Sequence, residues 1–130
     1  MKIYVAMGIT FLALDSVWLG LVARGFYKRH IGHLMTNNPN FVAAGIFYAL
    51  FLFGLMMLVV IPAGKAYSVI QALWSGALFG LVCYATFDLT NQALLKNWPT
   101  TVTIIDLLWG TFVTTIVALV GYWVANVLFV

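Results

Sequence analysis

The stretch Tyr84–Gly110, YATFDLTNQALLKNWPTTVTIIDLLWG, decides how the chain is read. An apolar run carrying one carboxylate breaks at Asn97, Trp98 and Pro99, and a second apolar run then carries another. These carboxylates, Asp88 and Asp106, are two of only three acidic residues in the protein. The third, Asp15, lies in the middle of the first apolar run, so no acid sits in a hydrophilic loop. A charge in hydrocarbon is costly. Such residues face a protein interior or a water-filled cavity, and they are functional candidates by default.

Outward from that stretch, the composition sets the class. Of the 130 residues, 65% are hydrophobic and 7% are charged. A soluble domain carries roughly a quarter charged residues, so this chain reads as an integral membrane protein. About 20 apolar residues cross a bilayer core. Four such runs predict helices at about residues 3–24, 41–61, 67–96 and 100–128, within one transmembrane domain over residues 1–130. The predicted fold is all-α, a polytopic up-and-down bundle of four transmembrane helices. The start has one lysine before an apolar run, as a signal peptide does. Asp15 interrupts that run and no small-residue cleavage site follows, so it is expected to be a retained first helix. The second run has no charge, and Tyr48 is its main polar group, so it should face lipid over much of its surface. Pro62 and Gly64 are expected to stop it.

Arg24, Lys28, Arg29 and Lys96 fall on the side of the first and third connections, and Lys2 and Lys65 on the other. The positive-inside rule then predicts both termini outside the cytoplasm. The basic residues form no face of useful size, so no nucleic-acid partner is expected, whereas membrane lipids are. Cys83 is the only cysteine and permits no intrachain disulfide.

Helical periodicity predicts how the spans pack. Ala72, Gly76, Gly80, Tyr84, Asp88, Gln92 and Lys96 recur every four residues and form one row. The Gly76–Gly80 pair permits close helix approach. In the last run Asp106, Gly110, Thr114, Ala118 and Tyr122 form a comparable row, so the third and fourth helices should pack along the two. Asn91 joins the polar end of the first row. Asp15-Ser-Val-Trp18 and Asp106-Leu-Leu-Trp109 place a tryptophan one turn beyond each acid, where an indole could donate to the carboxylate and its ring could shield it. Counted from the basic edge, the three aspartates fall at similar depths and predict one layer.

The runs Y-A-T-F-D-L-T-N, L-K-N-W-P and D-L-L-W-G resemble those of a family of small bacterial integral membrane proteins with no assigned function. The likeness covers nearly the whole chain and implies a four-helix, multi-pass protein of the bacterial inner membrane. It implies no catalytic residue and no cofactor.

The candidate substrate- or ion-binding residues are therefore Asp15, Asp88, Asp106, Asn91, Tyr84, Trp18 and Trp109. His30 and His33 could share a helical face and bind a metal weakly, but they read better as interfacial residues beside Lys28 and Arg29. No other metal site and no cofactor is expected. The leading expectation is proton- or cation-linked handling of a small amphipathic or lipid solute, because carboxylates gathered away from water favour proton exchange. Four short helices enclose little space, so a homodimer or a membrane-protein partner would help to build a pathway. One alternative is a membrane-bound enzyme acting on lipid, with Asp88 and Asp106 as acid–base groups or metal ligands and Asn91, Thr90 and Thr103 supplying further oxygens. The other is an accessory or assembly subunit.

Overall fold

The computed structural model describes residues 1–129. The described residues form helices and turns: α1 (Lys2–Val17), α2 (Arg24–Ile31), α3 (Phe41–Leu55), α4 (Ile61–Lys65), α5 (Val69–Leu94) and α6 (Thr100–Phe129). A π turn at Trp18–Val22 extends α1, and another at Met56–Val60 joins α3 to α4. Four helices are long and apolar enough to cross a membrane: Lys2–Val22, Phe41–Lys65, Val69–Leu94 and Thr100–Leu128.

The second span runs past Pro62 and Gly64, which the sequence suggested would stop it. Proline lacks an N–H, and its ring crowds the carbonyl four residues back. Here the helix has widened just before it, with the Ile61 N–H bonding to the Met56 carbonyl. A π turn of this kind absorbs the misfit and lets the helix continue. The other ends follow local chemistry. Asn40 accepts from the Ala43 N–H at 3.0 Å, and Ser68 from the Gln71 N–H at 3.1 Å. Each satisfies an orphan donor at a helix start. Tyr67 and Asn97 adopt φ of 51° and 60°, reversing the chain between spans. The first polar connection also holds a helix, α2, which carries Lys28, Arg29 and His30 in its last turn.

The packing rows read from the sequence are the contact between α5 and α6. The buried residues of α5 are Ala72, Gly76, Gly80 and Asp88. A Cβ at Gly76 would lie 2.8 Å from Ala118 Cβ, and one at Gly80 would lie 2.5 Å from the Gly110 carbonyl oxygen. At Gly110 an added methyl would overlap the Tyr84 ring. Lipid tails are as apolar as leucine, so burial does not drive this contact. Close dispersion packing does, and only glycine lets the backbones approach this far.

The main apolar core joins Met7 and Phe11 of α1, Phe51 and Leu55 of α3, Val60, and Val113 and Val117 of α6. Much of the opposite face of the second span points outward, with Val42, Ile46, Leu50 and Leu58 exposed. Hydroxyls of Thr10, Thr86, Thr111 and Thr115 donate to carbonyls one turn back, so none is left bare toward lipid. Both α1 and α5 pack on α6, while they touch each other little. That spacing leaves room between them for the site.

Candidate functional site

The three aspartates come from different spans. Asp15 lies seven residues before the end of the π turn at Val22, Asp88 six before Leu94, and Asp106 six after Thr100. At about 1.5 Å per residue these are similar depths, all in the membrane half nearest α2 and the Lys96 turn. All three side chains are buried.

A cavity of about 430 Å³ opens beside them. Asp15 and Asp106 line it, with Trp18, Tyr84 and Trp109 among its walls. Asp88 does not line it. Asp88 is fully buried behind, and its carboxyl meets that of Asp106. As carboxylates the two have no proton to share, and neither oxygen of Asp88 has a hydrogen-bond partner. Tyr84 of α5 lines the cavity together with Asp15 and Asp106. Its position on α5 is held by Gly110, whose missing side chain makes room for the ring.

Two phenols meet the carboxylates that line the cavity. The Tyr48 hydroxyl of α3 donates to Asp15 Oδ2 at 2.6 Å. The Tyr27 hydroxyl of α2 donates to Asp106 Oδ1 and accepts from Trp18 Nε1 at 3.1 Å. Burial, and after it the bond to Asp106, push the Tyr27 phenol well above its ordinary range, so it stays a neutral donor. Helix α2 is thereby tied to α6 through the acid. The sequence marked Tyr48 only as the polar residue of its span. An isolated hydroxyl in an otherwise charge-free span was the available signal for Tyr48. For Tyr27 the sequence offered no signal, because its partner lies 79 residues away.

The tryptophans take a different role from the one suggested by their spacing. Neither indole donates to a carboxylate. The rings of Trp18 and Trp109 stack on each other, with centroids 4.5 Å apart and planes within 5°. Stacking across α1 and α6 fixes the ring planes, so Trp18 Nε1 reaches Tyr27 and Trp109 Nε1 is left without a partner. Shielding does follow, since the pair forms one wall of the cavity.

The remaining candidates, Asn91 included, are not among the residues that line the cavity. Thr90 is exposed, and Thr103 Oγ1 accepts from Trp98 Nε1 at 3.0 Å. Gln92 Nε2 donates to Thr100 Oγ1 at 2.9 Å. Among the described residues no three His, Cys, Asp or Glu side chains gather as ligands. His30 Nδ1 lies 2.8 Å from the Phe26 carbonyl oxygen and its ring packs on Phe26, while His33 is exposed in the turn that follows. Cys83 is a half-buried free thiol in the cavity wall.

In comparisons with known proteins, no curated protein and no solved structure matches the chain. A family model described as "Predicted membrane protein (DUF2177)" matches residues 1–123, nearly the whole chain, and the protein belongs to that family.

Proposed function

We propose that the protein binds a small amphipathic solute in the cavity and couples its movement to proton or cation exchange at the aspartates. The observation that carries this is the cavity itself. It is a space of about 430 Å³ with apolar and aromatic walls and two carboxyls, in a chain whose other surfaces suit lipid. Ligand sites of this size are mostly apolar, with a few polar groups that set orientation. Leu19, Phe47 and Phe87, at its edge, are exposed and open it toward the bilayer. The Asp88–Asp106 contact supplies the coupling: a proton or a cationic group between them gives each carboxyl a partner. With the basic connections in the cytoplasm of a bacterial inner membrane, the cavity lies in the cytoplasmic half and both termini lie outside.

A test is solute uptake into vesicles containing the purified protein, with and without an imposed pH gradient. Gradient-dependent uptake that Asp88→Asn and Asp106→Asn abolish supports the proposal. Uptake indifferent to both the gradient and the substitutions contradicts it. The same carboxyl contact also favours a second possibility, acid–base catalysis on a lipid, since paired carboxyls can divide the roles of acid and base. Chemical turnover of the added lipid, seen by mass spectrometry, would select it.

A further inference from the structure

The chemistry of the cavity narrows the solute. Among its lining residues are two aspartates and no Lys, Arg or His. The donors that meet those aspartates are neutral phenols, so no basic side chain balances their charge. Behind them Asp88 is fully buried with both oxygens unpartnered. An anionic head group entering here would meet carboxylates with no cation to offset them. The walls point the same way. Six of the eleven lining residues are aromatic: Trp18, Tyr27, Phe47, Tyr84, Phe87 and Trp109. Aromatic faces attract cations, tryptophan most strongly, and more so away from water. A bare metal ion is a poor fit, because it needs several oxygen ligands close by and most of this lining is carbon. An apolar body of some length fits the space and can enter past the exposed Leu19, Phe47 and Phe87.

We infer that the solute is an amphipathic organic cation, with its ammonium head at Asp106 and Asp15 beside the Trp18–Trp109 pair and its apolar body toward the lipid. This rests on the solute-binding function proposed above and adds the sign of the head group. Tyr27 donates to Asp106 Oδ1, so the head group meets a carboxylate held in place by a neutral donor.

The experiment measures binding to the full chain in nanodiscs of zwitterionic phosphatidylcholine, with empty nanodiscs subtracted. Three probes share one tail and differ in head charge: octyltrimethylammonium, octanesulfonate and octanol. The expected result is saturable binding of the ammonium at least tenfold tighter than that of the sulfonate or the alcohol. Asp106→Asn should weaken the ammonium at least tenfold and leave octanol unchanged. The comparison of head groups in the unsubstituted protein does not depend on how that variant folds. If the sulfonate or octanol binds as tightly as the ammonium, the cationic class is overturned while the solute site stands. Saturable binding of none of the three overturns both.

Discussion

Replacing Gly80 by alanine tests whether close approach of α5 to α6 holds the bundle together. The added Cβ would sit 2.5 Å from the Gly110 carbonyl oxygen and 2.6 Å from both Cβ and Oγ1 of Thr114. The first of these is backbone and cannot rotate away. Relief requires the two helices to part by about 1 Å, and a gap of that size forfeits about a quarter to a half of each dispersion contact. Lipid entering the gap brings no hydrophobic compensation. Overpacking of this kind costs about 1–3 kcal/mol, and Gly80→Leu, with three more carbons to place, should cost more. Gly45 is the internal control, because a Cβ there meets nothing within 4 Å. Gly45→Ala should be neutral or stabilising by up to about 1 kcal/mol. Leu58, exposed on the second span, should tolerate alanine with a smaller loss than Gly80. The assay is reversible unfolding in mixed micelles by dodecyl sulfate titration, followed by far-ultraviolet circular dichroism. A Gly80→Ala protein as stable as the Gly45→Ala control would refute the packing argument.

Tyr48→Phe leaves Asp15 Oδ2 without its donor; a loss of about 1–3 kcal/mol is expected, and an unchanged unfolding midpoint would contradict it. The Tyr27 phenol is held above its ordinary value by burial and by Asp106. The stability it contributes is therefore whole below about pH 10 and declines as the pH rises further. Tyr27→Phe should flatten that alkaline limb in pH-dependent melting, and an identical limb would show that the phenol is not the group responsible. A C-terminal reporter fusion should be active in its periplasmic form; activity only of a cytoplasmic reporter would invert the topology and put the cavity in the outer half.

Residue types and their spacing were enough to establish the membrane class, the number of spans and the pairing of α5 with α6. Those properties depend on local composition and on the helical period. Ala72, Gly76 and Gly80 line up every four residues whatever the rest of the chain does, and the buried face of α5 is that row. The shared depth of Asp15, Asp88 and Asp106 was legible for the same reason, since rise per residue converts a count into a distance. Which groups meet at that depth was decided by tertiary structure. It depends on how each helix is rotated about its own axis and on the path of the chain between spans. The π turn at Trp18–Val22 inserts an extra residue, a rotation of about 100°, before the chain enters α2. Helix α2 then folds back to carry Tyr27 to an acid on α6. The Trp18–Trp109 stack, the Tyr48–Asp15 bond and the cavity arise in the same way, from contacts between elements far apart in sequence. Periodicity within one helix carries no information about the azimuth of another, and only their packing on α6 brings these groups together.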